Sequence, residues 1–127
     1  MKMIFVAVII FSGVLKLNAQ TSDASIAHKW IIQSITVNGA SDSDRYPVNN
    51  DVMQFNADHT FHSIDNTYSN TDDGTWKSDG CSIQVNAVRN GESKTYNYKI
   101  ISCNTAQLTL QFINNDGEIV VMTLKAS

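Results

Sequence analysis

The segment FNADHTFHSID, residues 55–65, predicts a tight β-hairpin. A three-residue hairpin loop commonly combines a type I turn with one residue in the left-handed region, where His is an enriched alternative to Gly. His59 fits that position, which places Phe55 directly opposite Phe61 on the next strand. Because two aromatic side chains that face each other stabilise a strand pair, the segment indicates antiparallel β-structure.

The same turn chemistry recurs in NNDGE at residues 114–118. Gly117 takes the left-handed position there, and apolar residues again face each other across the turn. The predicted pairs are Phe112 with Val120, Leu110 with Met122, and Leu108 with Leu124. A slip of one residue would turn all of these side chains to the other face, so the pattern fixes the register.

His59 and His62, together with Asp58 and Asp65, also resemble a set of metal ligands. His59, however, is a turn residue, and His62 points to the opposite strand face from the aromatic residue before it. Ligands on a strand need to lie two residues apart on one face in order to converge. We therefore predict no metal site here, and the oxygen-rich segment at residues 65–73 lacks the spacing of a calcium loop.

Short alternating runs of Val, Ile, Thr, Tyr and Phe between polar turns predict an all-β fold. We count eight strands, at residues 29–38, 52–56, 60–65, 74–78, 81–88, 94–102, 106–113 and 118–125. Their short connections favour an eight-stranded antiparallel up-and-down barrel. Its open rim would carry loops 39–51, 66–73, 89–93 and 114–117, and its closed base turns 57–59, 79–80 and 103–105.

Alternation along each strand predicts the side chains that point into the barrel. They are Trp30, Phe55, Phe61, Trp76, Ile83, Val85, Tyr96, Tyr98, Ile100, Leu108, Leu110, Phe112, Val120, Met122 and Leu124. On the first strand, Ile31, Ile35 and Val37 lie on the face opposite Trp30. A β-bulge or a second buried face would resolve that conflict.

The first nineteen residues have the features of a cleaved export signal. Lys2 precedes an apolar run at residues 3–15 that is too short to span a bilayer, and Ala19 ends a small-residue cleavage site. We predict cleavage after Ala19, an N-terminal arm or short helical turn at residues 20–28, and the barrel domain at residues 29–127. The product is expected to be soluble, without a membrane anchor, and either secreted or periplasmic.

The predicted product is acidic. Without Lys2 and Lys16, seven basic residues face twelve acidic ones, a net charge of −5. Nucleic acid is therefore excluded as a partner, since binding it requires a basic surface. Nine acids fall at the predicted rim, opposed by Arg45, Arg89 and Lys94, and these acids are Asp42, Asp44, Asp51, Asp65, Asp72, Asp73, Glu92, Asp116 and Glu118. Such a rim favours neutral or cationic ligands, although acidic loops also keep an exported protein soluble.

Cys81 and Cys103 both fall at the predicted closed base. An exported chain with two cysteines favours a disulfide between them. Strict alternation, however, turns Cys103 to the face opposite Cys81, so the chain has to bend after Ser102 for the bond to form. The alternative is two separate thiols, with Cys81 buried.

Six short motifs in a fixed order resemble the bacterial lipocalin-like proteins, the small exported form of the calycin barrel. They are Trp30 with TVNG at residues 36–39, FNADHTF at 55–61, GTWK at 74–77, YKI at 98–100, LTL at 108–110, and DG at 116–117 with MTL at 122–124. His59 and His28 stand where the family pattern has Gly. The resemblance implies an eight-stranded barrel that binds small apolar molecules.

Two functions from different classes follow. In the first, a small neutral or cationic apolar molecule enters between loops 39–51 and 66–73. Four aromatic residues would line its site, and these are Phe61, Trp76, Tyr96 and Tyr98. A continuous cavity of a few hundred Å3 would favour this reading, as ~300–1,000 Å3 is usual for ligand sites.

The second function is an interaction module or inhibitor with a filled core, which binds another protein through its long loops. Its contact residues would be Tyr46, Pro47 and Tyr68, because aromatic side chains anchor interfaces. A close-packed centre would favour this alternative. We predict neither catalysis nor a cofactor, because no Ser, His and carboxylate have the arrangement that nucleophilic catalysis needs.

Overall fold

The computed structural model describes residues 20–127, and the predicted export signal at residues 1–19 lies outside them. The described chain contains one helical turn and nine strands. These are α1 (Asp23–Ile26), β1 (Lys29–Val37), β2 (Ala40–Ser41), β3 (Val52–Phe55), β4 (Thr60–Asp65), β5 (Asn70–Ser78), β6 (Ser82–Arg89), β7 (Glu92–Cys103), β8 (Gln107–Ile113) and β9 (Ile119–Ala126). Among these residues, no helix is long and apolar enough to cross a membrane.

Eight of the strands close into an antiparallel barrel, as the sequence predicts. Each strand from β3 to β9 pairs with the next, and β1 closes the ring by pairing with both β3 and β9. The additional strand β2 was not predicted, and it forms a two-residue ribbon with the end of β1. Two strands are longer than predicted, since β5 begins at Asn70 and β7 at Glu92. Residues assigned to rim loops therefore belong to the barrel wall.

Both predicted hairpins are confirmed. His59 has a φ of 69° and Gly117 a φ of 76°, so each occupies the left-handed position of its turn. Phe55 pairs with Phe61, and their ring centroids are 5.2 Å apart. The β8–β9 ladder contains the three predicted apolar pairs.

A β-bulge resolves the conflict in the first strand. The register between β1 and β9 shifts between Ile32 and Ser34. Trp30 and Ile32 belong to the buried core before the bulge, and Ile35 packs against that core after it. One extra residue thus lets both halves of β1 direct apolar side chains inward.

The segment at residues 20–28 closes one end of the barrel as a helical turn, one of its two expected conformations. Ile26 is fully buried, and its carbonyl accepts a hydrogen bond from Trp30 Nε1 at 2.9 Å. The amide of Thr21 donates to the carbonyl of Gly80 at 2.7 Å. Apolar burial and hydrogen bonds together hold the closed base in place.

Apolar side chains form the core of the barrel above that base. The fully buried ones are Trp30, Phe55, Ile26, Ile83, Leu108, Leu110, Leu124, Val85 and Val120. Of the other predicted inward residues, Phe61, Trp76 and Met122 are buried. The remaining members, Tyr96, Tyr98, Ile100 and Phe112, are partly buried and pack against this core. The predicted inward set is therefore confirmed.

The structure contradicts the predicted disulfide, because Cys81 and Cys103 are not joined. The carbonyl of Cys81 accepts a hydrogen bond from the amide of Ile100, which lies three residues before Cys103 on β7. That separation is about 10 Å along a strand, whereas a disulfide needs Cα atoms within about 7 Å. A register shift after Ile100 turns Cys103 inward beside buried Leu108, so the face predicted for Cys103 by strict alternation is wrong, but the separation along the strand still prevents the bond. Cys81 is exposed rather than buried.

Candidate functional site

The open half of the barrel contains a charged pair in its interior. Alternation along β5 places Asp72 on the same face as buried Trp76, and the side chain of Asp72 is only 9% exposed. Arg89, at the end of β6, donates from Nε to Asp72 Oδ1 at 2.6 Å and from Nη2 to Oδ2 at 3.2 Å. This bidentate hydrogen bonding raises the pKa of Arg89 and compensates the buried carboxylate.

Two tyrosines on β7 face the same interior. The rings of Tyr96 and Tyr98 are stacked, with centroids 6.4 Å apart and planes 16° apart. Tyr98 also meets the edge of Phe112, with ring centroids 5.9 Å apart. Burial raises the pKa of the Tyr98 hydroxyl well above its usual value, so this group stays a neutral donor and acceptor.

Within residues 20–127, neither tyrosine hydroxyl forms a hydrogen bond with another protein group. Every fully buried side-chain nitrogen or oxygen in that part of the chain has a partner. The two hydroxyls therefore face open space rather than packed protein. A polar group that is largely buried and directed into a cavity is available to a ligand.

One space lined by both tyrosines, here called the inner cavity, opens at the mouth of the barrel and has a volume of about 210 Å3. Seven strands form its walls, and these are β1, β3, β4, β5, β6, β7 and β9. Its lining residues are Ile32, Asp51, Val52, Met53, Phe61, Ser63, Ile64, Asp65, Asp72, Arg89, Tyr96, Tyr98 and Met122. A second space of about 200 Å3, here called the rim pocket, shares Asp72, Arg89 and Tyr96 with it and extends to Glu92 and Lys94. The inner cavity and the rim pocket are therefore adjacent, because they share part of their wall.

A third space, here called the side groove, opens through the barrel wall between β7 and β8. It has a volume of about 670 Å3 and shares Tyr96, Tyr98 and Met122 with the inner cavity. Its outer walls include Tyr46 and residues 112–115. The interior of the open half is thus accessible both from the rim and through the side of the barrel.

Three of the four residues predicted to bind a ligand meet at the inner cavity. Phe61, Tyr96 and Tyr98 all line it. Trp76 does not, because it lies four residues below Asp72 on β5, about 13 Å further from the rim. Its indole Nε1 donates to the carbonyl of Asn56 at 2.9 Å, and the ring packs in the closed half.

Asp72 and Arg89 were not predicted to lie in the interior, because both fall in segments that were assigned to rim loops. The signal that could have found them is the alternation itself. Counting back from Trp76 in steps of two gives Gly74 and then Asp72 on the inner face of β5. Counting forward from Val85 on β6 gives Ala87 and then Arg89.

Arg45 ties the longest rim loop to the β8–β9 turn. It donates from Nε to Asp42 Oδ2 at 2.7 Å and from Nη1 to Glu118 Oε1 at 2.8 Å. These hydrogen bonds lower the pKa of both carboxyl groups, and Asn114 contributes to the shift at Glu118. Part of the predicted negative charge of the rim is therefore compensated by an internal tether.

The three predicted partner contacts differ in exposure. Tyr68 is 64% exposed, in the turn between β4 and β5. Tyr46 and Pro47 are half-buried, and the Tyr46 hydroxyl accepts a hydrogen bond from Asn114 Nδ2 at 3.3 Å. The structure therefore places Tyr46 against the side groove rather than at a free loop tip.

The two histidines of the opening segment each face a separate carboxylate. His59 Nε2 lies 2.9 Å from Asp23 Oδ2 at the closed base. His62 Nδ1 lies 2.6 Å from Asp73 Oδ1 on the neighbouring strand. No group of three or more metal-ligating side chains occurs in the part of the chain that the structure describes.

The comparison with protein families agrees with this architecture. The model of the lipocalin-like domain matches residues 26–110, which is more than half of the chain. The chain belongs to the lipocalin-like domain family. The match runs from the buried residue of α1 to the middle of β8, and it includes the strands that carry Asp72, Arg89, Tyr96 and Tyr98. No curated protein matches the chain.

Proposed function

We propose that this lipocalin-like protein is an exported binding protein that holds a small neutral or cationic apolar molecule in the open half of its barrel. The observation that carries the proposal is the inner cavity, whose lining includes two tyrosines with hydroxyls that have no protein partner within residues 20–127. Apolar walls with a few polar groups that fix orientation are the usual composition of a ligand site. Phe61 and Met122 supply apolar surface beside Tyr96 and Tyr98.

The size of the space limits the ligand. The inner cavity alone, at about 210 Å3, is smaller than the ~300–1,000 Å3 that ligand sites usually offer. Together with the rim pocket, it reaches the lower part of that range. We therefore propose a ligand whose apolar part lies beside Phe61 and Met122 and whose polar group bonds to the hydroxyls of Tyr96 and Tyr98.

The charge of the lining supports the neutral or cationic assignment. Three carboxylates, those of Asp51, Asp65 and Asp72, line the inner cavity together with a single cation, Arg89. Arg89 is already paired with Asp72, whereas Asp51 and Asp65 accept hydrogen bonds from backbone amides and keep their negative charge at the mouth. An anionic ligand would therefore meet a repulsive surface potential.

We propose binding rather than catalysis as the role of this site. Lipocalin-like proteins are generally binding proteins, and neither His59 nor His62 lines the inner cavity. The predicted signal at residues 1–19 supports export to the periplasm or the exterior.

The exposure of Tyr68 favours a second candidate function, which is the binding of a protein partner through the rim loops. The packed closed half fits such a module, whereas the cavity in the open half favours a small ligand. Native mass spectrometry of protein purified from its own source separates the two. An added small mass that is lost on denaturation supports the ligand, and a co-purified protein without such a mass supports the partner.

A matched pair of fluorescent probes tests the site and its charge preference. N-phenyl-1-naphthylamine is neutral, and 8-anilino-1-naphthalenesulfonate has the same rings with an added sulfonate. We expect the neutral probe to bind at least tenfold more tightly. If neither probe binds and no mass is found, the small-ligand function is contradicted. If the sulfonate binds more tightly, the neutral or cationic assignment is contradicted while the site itself is retained.

A further inference from the structure

β7 and β8 separate at a fork in the open half of the barrel. Their ladder ends where Lys99 pairs with Gln111, and in the same register Tyr98 would pair with Phe112. That pair lies outside the ladder, while β7 continues to Glu92 in its pairing with β6. The side groove, which Tyr98 and Phe112 line, therefore begins at this fork.

The side groove and the inner cavity share part of their walls. Tyr96, Tyr98 and Met122 line both spaces. The rings of Tyr98 and Phe112 meet edge to face, so the boundary between the spaces is aromatic. The groove has a volume of about 670 Å3, within the ~300–1,000 Å3 that is usual for ligand sites, whereas the inner cavity alone is smaller. A ligand in the inner cavity that extends past Tyr98 would enter the groove.

Lys94 differs from the other lysines of residues 20–127 in the strand face that it occupies. It pairs with buried Ala87, and alternation along β7 places it on the inner face with Tyr96, although it is exposed at the mouth. The other four lysines of this part of the chain stand next to inward residues and therefore point outward. They are Lys29, Lys77, Lys99 and Lys125.

The charge of the groove differs from that of the inner cavity. Among residues 20–127, Lys94 is the only charged residue that lines the groove, and it forms no ion pair with them. Lys94 also lines the rim pocket, where Asp72 and Glu92 offset its charge. The groove therefore offers a hydrogen-bond donor without the strong positive potential that favours an anion.

The wall across from β7 supplies a second donor. The hydroxyl of Tyr46 accepts a hydrogen bond from Asn114 Nδ2 at 3.3 Å, and within residues 20–127 its own O–H donates to no protein group. Asn114 is held in turn by Glu118, whose Oε1 accepts from Nδ2 at 3.0 Å and whose amide donates to Oδ1 at 2.9 Å. The Arg45 guanidinium lies over the Tyr46 ring, 5.9 Å from its centroid. Bonds within the protein thus hold this wall in place.

We propose that the side groove binds the polar head of an amphiphilic ligand and that Lys94 recognises this head. Because Lys94 and Tyr46 both donate, the head carries an uncharged acceptor such as an ester, amide or ketone carbonyl. The assignment rests on the proposed function for the tail, which lies beside Phe61 and Met122 in the inner cavity. The head extends past the tyrosine hydroxyls to the side of the barrel.

The probe is 6-propionyl-2-dimethylaminonaphthalene, a neutral ketone whose emission moves to longer wavelength when its carbonyl accepts a hydrogen bond. N-phenyl-1-naphthylamine has no carbonyl and reports on the inner cavity alone. Lys94→Met removes the ammonium group and keeps most of the stem. Lys99→Met is the matched control, because it makes the same change on the outer face of the same strand. Both positions are exposed, so both variants are expected to fold.

We expect Lys94→Met to bind the ketone about tenfold more weakly, with emission at shorter wavelength, because a hydrogen bond from a charged donor is lost. Its affinity for the naphthylamine should stay within about twofold, and Lys99→Met should bind both probes as the unmodified protein does. If the two variants treat the ketone alike, the head assignment is overturned while the proposed function is retained. If the unmodified protein binds neither probe, both are overturned.

A second matched pair locates the head, because Lys94 lines the rim pocket as well as the groove. Asn97→Trp fills the groove from β7, and Gln84→Trp introduces the same ring on β6, outside the groove. Each variant loses the same hydrogen bond, from Gln84 Nε2 to Asn97 Oδ1. We expect Asn97→Trp alone to weaken ketone binding, by about tenfold or more, since the groove then has no room for the head. Equal affinity of the two variants would overturn the placement of the head in the groove.

Methyl decanoate and decanoate test the charge of the head, because they share one tail and differ in whether the carbonyl group is charged. Each competes with the bound ketone probe. We expect the ester to displace the probe at a concentration about fivefold lower or less, since the carboxylate would be repelled by the acids around the mouth. Stronger displacement by the carboxylate would overturn the uncharged head.

Discussion

The closed and open halves of the barrel share the same strands but differ in what those strands direct inward. In the closed half, the interior contains Trp30, Phe55 and Leu108, and α1 covers the base. In the open half, the same alternation directs Asp72, Arg89, Tyr96 and Tyr98 toward a cavity. Because apolar burial stabilises a fold and buried polar groups do not unless they are paired, the two halves have different tasks. The closed half supplies most of the stability. The open half presents polar groups to the cavity, which lowers its own contribution to stability.

The largest expected effect is in the closed half. Trp30→Ala should lower the free energy of unfolding by about 3–5 kcal/mol, because it leaves a cavity and removes the hydrogen bond to the Ile26 carbonyl. Urea unfolding followed by circular dichroism measures this change.

Trp30→Phe serves as the milder variant if the Ala variant does not fold. It keeps most of the volume but leaves the Ile26 carbonyl without its donor, and we expect a loss of about 1–2 kcal/mol. Stability close to that of the unmodified protein in both variants would contradict the assignment of the closed half as the source of stability.

In the open half, Arg89→Met should lower the free energy of unfolding by about 2 kcal/mol, because the buried Asp72 carboxylate loses its partner. The double variant with Asp72→Leu removes the charge as well and should recover most of the loss. Chemical unfolding of the two variants side by side provides the comparison. Equal destabilisation in both would show that the charged pair itself, rather than the orphaned carboxylate, matters.

Tyr98→Phe separates ligand binding from stability. Its hydroxyl has no protein partner among the described residues, so its removal should change the free energy of unfolding by less than about 0.5 kcal/mol. Affinity for a ligand that bonds to the hydroxyl should fall about tenfold, which corresponds to one lost hydrogen bond.

Tyr68→Phe is the matched control for Tyr98→Phe, since it removes the hydroxyl of an exposed tyrosine outside the cavity. It should affect neither stability nor binding of the neutral naphthylamine probe. Equal loss of affinity in both variants would count against the inner cavity as the site.

The smallest expected effect is at the rim tether. Arg45 lowers the pKa of Asp42 and Glu118, so both carboxyl groups have lower values in the folded than in the unfolded chain. Their contribution is present above the unfolded values, about 4, and is lost as the pH falls through the folded ones. The NMR signal of the Arg45 side-chain Nε–H should therefore shift and broaden only in acid.

Arg45→Gln is the control for this tether, and in this variant the pKa values of Asp42 and Glu118 should rise toward about 4, their ordinary range. Unchanged pKa values in that variant would show that some other group holds the carboxylates. The inner cavity should be unaffected, because Arg45 does not line it.

Much of the fold followed from local rules in the sequence. The turns at His59 and Gly117 fix the pairs on either side of them, and those pairs fix the register and inner face of each strand. The structure shows why the GTWK motif has a residue without a side chain at Gly74. A Cβ there would lie 1.8 Å from the carbonyl oxygen of Asn86 on β6.

The candidate site was less predictable than the fold. Its charged residues lie at the ends of strands, and a charged segment is usually assigned to a loop when only composition is considered. Asp72 lies in the run DNTYSNTDD, and only the β5 ladder shows that it belongs to the wall. The disulfide failed for a different reason. The β6–β7 register places Cys81 beside Ile100, three residues before Cys103, and cysteine spacing in the sequence does not reveal that offset.

The pairing of β1 with β9 also has a consequence for folding kinetics. These are the first and last long strands, and the ring closes only when they meet. Such a high contact order predicts folding on a scale of roughly milliseconds to seconds, because loop closure precedes its stabilising contacts. During synthesis, the edge of β1 stays without its β9 partner until residues 119–126 have been made. The barrel therefore cannot close while those residues are still inside the ribosome.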